Sequence, residues 1–440
     1  MSSSPRPTEP DPRGWLEAHV NLESLGVPPG RRAAAPTLER IRRLVELLGS
    51  PQLEYPALHL TGTNGKTSVA RMSAALLAGA GLSVGSYTSP HLQRVNERIA
   101  WNGEPVGDEE LDELLATVAL VEEFLPEPPS YFEILTAVAL RYFDDIAVNV
   151  AVIEVGVGGT WDATNIIDAE VAVITNVSVD HVEYLGPTRR EIAAEKAGIV
   201  MPGATLVLGE TDPELVPLFV ERDAARVLRR GADFGAAANR PAHGGRLIEL
   251  WTPDARYENV YLPLHGAHQA DNAAAALAAA EAFLQRPLGA DLVTETFAAV
   301  RTPGRLEVAG HAPLTLLDGA HNVAGATALR DALDEEFAVA SRTLVVGFLR
   351  EKEPHEMLTA LGVPAVDRLV CTRPPSSRAL DAGLVAEAAI DLGMDGEQVA
   401  ITETVAEAVA RAVADTPADG QIVITGSLYT VGAARDLLVH

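Results

Sequence analysis

Residues 57–68 read ALHLTGTNGKTS. An apolar run enters a turn containing Gly62 and Gly65, and Lys66-Thr67-Ser68 opens an amphipathic helical pattern. Strand, glycine turn and helix in this order form the setting of a phosphate loop. The glycines let backbone N–H groups approach phosphate oxygens, and the helix presents its positive N-terminus to them. Lys66 can reach the β and γ oxygens, and Thr67 can position Mg²⁺. Gly62, Thr63, Asn64, Gly65, Lys66, Thr67 and Ser68 are therefore the expected nucleotide-binding residues. The general pattern G-x-x-x-x-G-K-[ST] is met imperfectly, because Leu60 stands where its first glycine belongs.

Outward from this loop, further apolar runs follow at 148–156, 171–177, 205–209, 314–319, 343–349, 367–372 and 421–427. Several are continuous Val/Ile/Leu stretches, as in strands buried on both faces of a parallel sheet. Helical patterns lie at 67–80, 108–124, 131–143, 189–199, 271–285, 322–336, 381–391 and 403–414. The alternation predicts an α/β protein. Its expected architecture is a P-loop-type, mostly parallel central sheet followed by a smaller Rossmann-like α/β domain. The boundary falls at Arg301-Thr302-Pro303-Gly304-Arg305, giving units 15–300 and 301–440. The polar, Pro-rich residues 1–14 read as a flexible tail, and 236–246 (AAANRPAHGGR) as a surface loop.

The chain has 440 residues, 47% of them hydrophobic, enough for two or three domains with large cores. Its 34 basic and 61 acidic residues leave a net charge of −27, which argues against a nucleic-acid surface. Such self-repulsion favours solubility and suits a salty medium, so a halophile-like acidic surface is expected. With no long apolar span and no signal-peptide pattern, the expected location is the cytoplasm, with no membrane partner. One cysteine, Cys371, allows no internal disulfide.

Lysine is scarce: Lys66, Lys196 and Lys352 are the only three among the basic residues. Arginine offers neither a compact point charge nor a reactive amine, so surviving lysines point to places where one of these is needed. Other polar groups stand at the ends of apolar runs, where open α/β sheets bind ligands. Glu154 follows VAVI, and a buried carboxylate there is costly unless paired or bound to metal. Asp180-His181 follows VAVITNVSV, and Ser89 lies in TSPHL. Helix capping by Ser89 or Asp180, and a simple hydrogen bond at His181, are the structural alternatives. Lys196 sits on a helical pattern beside Glu191 and Glu195, where an exposed charge pair is the alternative.

Taken together, these segments resemble the folylpolyglutamate synthase/dihydrofolate synthase family, a branch of the Mur ligase superfamily. The resemblance runs from about residue 15 to the C-terminus. It rests on GTNGKTS (62–68), SPHL with Asn96-Glu97-Arg98-Ile99, SYFEILTAVALRYF (130–143), EVGVGGTWDATN (154–165) and DHVEYLGPTRREIAAEKAGI (180–199). HGAHQADNAAAAL (265–277), PGRLEV (303–308), LDGAHN (317–322), 347–353 and ITGSLYTVG (424–432) continue it in order.

The resemblance implies an ATP- and Mg²⁺-dependent ligase joining L-glutamate to a folate or dihydropteroate carboxylate through an acyl phosphate, in a monomer. It implies Ser89 and Glu154 as Mg²⁺ ligands. A second Mg²⁺ would be held by His181, Glu154 and a carbamylated Lys196. Gln269, Asn272 and Arg305 would contact ATP, with Asp318 and His321 reaching it from the second domain. Two departures stand out: Thr67 replaces a glycine of the family's loop, and Thr160-Trp161 replaces an Arg-Leu pair near the folate side. Lys352, flanked by Glu351 and Glu353, is expected in a salt bridge within the second domain. Rival readings are a Mur-type ligase for another acceptor and a nucleotide-binding ATPase without ligase chemistry.

Overall fold

Each of the eight apolar runs forms a strand in the computed structural model, which describes residues 11–25, 37–363 and 365–439. The strands of the first sheet are β1 (Ala57–Thr61), β2 (Val84–Tyr87), β3 (Ile99–Trp101), β4 (Glu104–Pro105), β5 (Val150–Glu154), β6 (Val171–Ile174), β7 (Thr205–Leu208) and β8 (Arg226–Arg229). They lie in the order β4-β3-β2-β5-β1-β6-β7-β8. From β2 to β8 every pairing is parallel, and β3 and β4 add an antiparallel edge. Every residue of β1, β5 and β6 is buried, which is why these strands read as nearly continuous apolar runs.

A second, antiparallel sheet of three strands follows: β9 (Gly235–Ala242), β10 (Gly245–Trp251) and β11 (Arg256–Leu262), with β10 central. The segment 236–246, expected as a loop, is thus the β9–β10 hairpin. Gly, Pro and Ala hide it because β9 is an edge strand with exposed positions, and Pro241 is tolerated where a ladder donor is dispensable. The expected tail is also corrected in part. Residues 1–10 lie outside the described residues, but Asp11 caps the helix Pro12–Glu17 by accepting the Gly14 N–H.

The third sheet holds β12 (Glu307–His311), β13 (Leu314–Leu317), β14 (Arg342–Val346), β15 (Arg368–Cys371), β16 (Val399–Ile401) and β17 (Gln421–Thr425), ordered β12-β13-β17-β14-β15-β16. All but β12 run parallel. Helices cover both faces, as parallel sheets require.

Two helices position the site. Lys66–Gly79 leaves the end of β1 and packs on His268–Leu284. The second is almost wholly alanine over its buried stretch, Ala273 to Ala280. Small side chains let the two backbones approach closely, which brings Asn272 against Gly65 in the loop before Lys66.

The helix Val323–Glu336 of the third sheet is pinned to the first half of the chain at both ends. At its start Asn322 bonds Asn64 and Asp180. At its end Glu335 and Glu336 meet the buried Arg246 guanidinium of β10, and Glu336 also accepts from His265 Nδ1 and Gly266 N. Fourteen residues at about 1.5 Å each make this a strut of roughly 20 Å, whose first turns line the cleft.

Candidate active site

The loop between β1 and its helix is held from below by the residues that follow β6. Thr63 N donates to Asn176 O, Asn64 N donates to Asn176 Oδ1, and Thr175 Oγ1 donates to Asn64 O at 2.7 Å. A methyl group on Gly62 would lie 1.8 Å from Thr175 Oγ1, and one on Gly65 would lie 2.5 Å from Asn272 Oδ1. Gly65 also has φ +83°, the left-handed region that glycine enters without cost. Both glycines are therefore required by packing as well as by any phosphate. Lys66 curls over the loop, its Nζ donating to the carbonyls of Gly62 and Thr63 at 3.1 and 3.4 Å. Ser68 is buried at the helix start.

Glu154 closes β5 directly beside the loop and is 1% exposed. Thr67 Oγ1 lies 3.0 Å from both of its carboxylate oxygens, and Ser89 N donates to Oε2 at 3.3 Å. Burial raises this carboxyl, while Lys66, Thr67, Ser89 and Arg305 pull against it. A buried oxygen cluster of this kind beside a phosphate loop fits the donor chemistry of Mg²⁺, which prefers carboxylate and hydroxyl oxygen. Thr67, where the family has glycine, thus adds a hydroxyl to that cluster.

Lys196 is 3% exposed and donates to Gly62 O at 2.8 Å. Burial, and then Lys66, lower its pKa to about 7, so the neutral amine is populated near neutrality. The exposed helical charge pair is therefore excluded for this lysine. Its amine points to the phosphate loop, whereas Glu195 bonds Trp161 N. Trp161, in the position where the family departs, packs in a tilted pair with Tyr184 at 6.3 Å.

Asp180 is the hub of the far wall. Lys352 Nζ lies 2.6 Å from its Oδ1, Asn322 Nδ2 donates to Oδ2 at 2.8 Å, and His321 Nε2 stands 3.6 Å away. Burial would raise this carboxyl, but His181, Lys352 and His321 outweigh it and hold it well below the carboxylate range. The Lys352 ion pair does not stay within the second domain, as expected from its acidic neighbours; it crosses to the first. The reason is geometric: Glu351 is taken by Arg378, leaving Lys352 to face Asp180. His181, with φ +51°, has Nε2 4.0 Å from Asp180, and burial lowers its pKa to about 4. Among the described residues no three His, Cys, Asp or Glu side chains form a ready metal cluster. His181 and Glu154 alone therefore do not complete the second Mg²⁺ set.

From the second domain, Asp318 accepts the N–H groups of Leu306 and Ala320, both at 2.9 Å, and burial raises its carboxyl. His321 Nδ1 donates to Gly319 O at 2.9 Å. Arg305 lies within Coulombic reach of Asp318 and Glu154. Asn272 Nδ2 donates to Gln269 Oε1 at 3.0 Å. Asp318, His321, Arg305, Asn272 and Gln269 line one cleft of about 1270 Å³ together with residues 63–68, Ser89, Glu154, Asp180, His181 and Lys352, while Gly62 and Lys196 lie behind its lining.

The cleft continues to a wall that motif reading missed. Trp15 and His19 both bond Glu122 at its far end. Glu23 forms a two-point ion pair with the buried Arg98, while its carbonyl accepts from Arg378 and Tyr429 of the second domain. These contacts join residues up to 406 positions apart, and no local pattern announces them. Asn322 closes the LDGAHN segment (317–322), and Lys352 is marked by the scarcity of lysine.

Two family models match: the Mur ligase middle domain over residues 111–280, and the Mur ligase glutamate ligase domain over residues 304–428. A dihydrofolate synthase/folylpolyglutamate synthase of Mycobacterium tuberculosis is 42% identical over 438 aligned positions, covering 91% of this chain and 90% of that protein. The Mycobacterium tuberculosis folylpolyglutamate synthase crystallised with ADP and AMPPCP superposes with a TM-score of 0.86, covering 92% of this chain and 96% of that one. Escherichia coli FolC in complex with DHPP and ADP is 28% identical and superposes at 0.84, covering 99% of both chains. No helix among the described residues is long and apolar enough to cross a membrane.

Proposed function

Because the chain belongs to the folylpolyglutamate synthase/dihydrofolate synthase family of Mur ligases, we propose that it uses ATP to join L-glutamate to the carboxylate of a folate or dihydropteroate. One observation carries this reading. The glycine loop with Lys66 and the buried Glu154–Thr67–Ser89 cluster face Asp318, His321 and Arg305 across a cleft large enough for a nucleotide and a pterin together.

In this reading the substrate carboxylate oxygen attacks the γ-phosphorus, and the bond to the β-bridging oxygen breaks, giving an acyl phosphate and ADP. The α-amine of glutamate then attacks the acyl carbon, and phosphate leaves as the amide forms. Gly62 to Ser68 cradle the phosphates, Lys66 and Arg305 offset their charge, and Gln269 and Asn272 flank the nucleoside. Positioning and charge stabilisation dominate such transfers. Ser89 and Glu154 would hold Mg²⁺, which supplies charge neutralisation on the phosphates. Carbamylation of Lys196 would convert its amine into an acidic oxygen ligand beside Glu154 and His181, a change arginine cannot undergo. Asp318 and His321 would complete the nucleotide site when the domains are together.

A division at 301–305 into an ATP-binding unit (15–300) and a glutamate-ligase unit (301–440) belongs to the same reading, supported by sheets whose strands do not cross that point. So do a monomeric state and a cytoplasmic setting. The −27 charge favours a salt-rich medium, and activity that peaks in dilute buffer would remove that part.

The test is ADP release measured with and without glutamate for tetrahydrofolate, dihydropteroate and UDP-sugar peptides, followed by product mass. Glutamate-dependent release with a mass gain of one glutamyl unit on a folate or pteroate is expected. Release indifferent to glutamate and pterin would leave an ATPase.

A further inference from the structure

A second, smaller cavity of about 40 Å³ lies beside the phosphate loop, on the Ser68 side of its helix. It is lined by Ser68, Arg71, Glu97, Thr302, Arg305 and Leu428, among others. That is room for about one carboxylate group or two to three waters.

Its polar lining is unfinished. Among the described residues the Arg71 guanidinium has no hydrogen-bond or ion-pair partner; it feels its neighbours only through Coulombic fields. Burial is the largest influence on it and lowers its pKa; the Glu97 and Glu154 carboxylates attract it from beyond hydrogen-bond reach, and Arg305 and Arg435 repel it. Arg305 likewise has no hydrogen bond or ion pair for its guanidinium among the described residues. Thr302, 7% exposed, has a buried hydroxyl without a partner.

The carboxylates that could have served these groups are committed elsewhere. Glu97 accepts the N–H groups of Leu92, Gln93 and Arg94. Glu154 is held by Thr67 and Ser89. The Arg71 and Arg305 side chains and the Thr302 hydroxyl line one void without hydrogen-bond partners of their own among the described residues, an arrangement that favours an anion there. Arginine's planar fork suits a carboxylate in particular.

We propose that this cavity seats one carboxylate of the incoming glutamate, gripped by Arg71 and Thr302, with Arg305 shared between that carboxylate and the nucleotide cleft. The inference rests on the ligase reading above. Arg305 lines both cavities, so a carboxylate here lies next to the phosphates while their mutual repulsion is offset. Leu428 and Thr302 belong to the second domain and the segment leading into it, so the seat is complete only when the two halves are together. Amino-acid binding is thereby coupled to closure.

The experiment compares wild type with Arg71→Gln, using glutamate and its two mono-amides, glutamine and isoglutamine. A charge-assisted pair is worth about 10- to 100-fold, so Arg71→Gln should raise KM for glutamate by at least about tenfold. KM for ATP and folate, and ADP affinity by calorimetry, should stay within about twofold. Wild type should discriminate against one of the two amides, and Arg71→Gln should lose that discrimination. If Arg71→Gln does not fold, Arg71→Lys, which keeps the charge without the fork, should still raise KM for glutamate selectively. An unchanged glutamate KM, or intact discrimination, overturns the proposal. Wild type that forms no glutamyl product with any folate or pteroate defeats the ligase reading itself, and this proposal falls with it.

Discussion

The side-chain amide of Asn322 donates at 3.0 Å to Asn64 in the phosphate loop and at 2.8 Å to Asp180, joining residues 258 and 142 positions apart. The same residue caps its own helix, its Oδ1 accepting the Gly325 N–H at 2.8 Å. Asn322 thus fixes the second domain to the loop that would hold ATP, and the two roles are separable. Asn322→Ser keeps a capping oxygen but is too short to span the cleft. It should melt within a few degrees of wild type, whereas Asn322→Ala loses the cap, at about 1 kcal/mol. Both should lower kcat at least about tenfold, through loss of one or two buried hydrogen bonds. Steady-state kinetics beside thermal melts would separate the effects, and a fully active Asn322→Ser would refute the domain-joining role.

Lys66→Ala removes the cation that curls over the loop carbonyls at its centre. Its ammonium is part exposed and anchors no core cluster, so the fold should persist. Turnover should fall by at least about 10³-fold, the scale of losing a group that offsets developing charge on phosphoryl oxygens. Circular dichroism and single-turnover ADP formation check both halves of the statement.

Lys196 carries a pKa lowered to about 7 by burial and by Lys66, so the amine is protonated below that value and reactive toward CO₂ above it. Activity should therefore have an acidic limb near pH 7 and should decline in CO₂-depleted buffer. Lys196→Ala and Lys196→Arg should both be inactive. Acetate or another short acid should restore part of the activity to the alanine variant and none to the arginine variant, whose bulk fills the space. An alanine variant with undiminished rate would remove Lys196 from the chemistry.

His59, fully buried on β1, bonds Thr164 through Nε2 at 2.8 Å, and burial lowers its pKa to about 3. Between pH 6.5 and 3 the unfolded chain binds a proton that the folded chain refuses, so stability falls as pH falls. The slope from this one group is about 1.4 kcal/mol per pH unit across that window. Above pH 6.5 it contributes no slope. His59→Gln should reduce the acid slope of denaturation midpoints by that amount, and an unchanged slope would show that His59 is protonated in the fold.

Much of the fold was legible because burial on both faces leaves an unmistakable mark: β1, β5, β6 and β17 are mostly Val, Ile, Leu and Ala, with polar residues only at His59 and at strand ends. Strands that bury one face or none left no such mark. The β9 side of the β9–β10 hairpin reads as a polar loop; β2, VGSY, is fully buried yet short and built largely of small residues, so it shows no apolar run either. Short helices such as Pro12–Glu17 and Leu22–Leu25 were equally silent, since fewer than two turns show no period.

What the sequence determined alone was the local chemistry: a glycine loop opening a helix at Lys66, a carboxylate at the end of an apolar run, and a lysine kept where arginine abounds. These are legible because each depends on a few adjacent residues and a backbone shape they favour themselves. Which groups meet was decided only by the tertiary structure. Asp180 facing Lys352, Glu23 facing Arg98 and Arg378, and Arg71 left without a hydrogen-bond partner beside Arg305 all depend on long-range closure. Charge pairing acts through space, and the chain order records nothing of a distance until the core has packed.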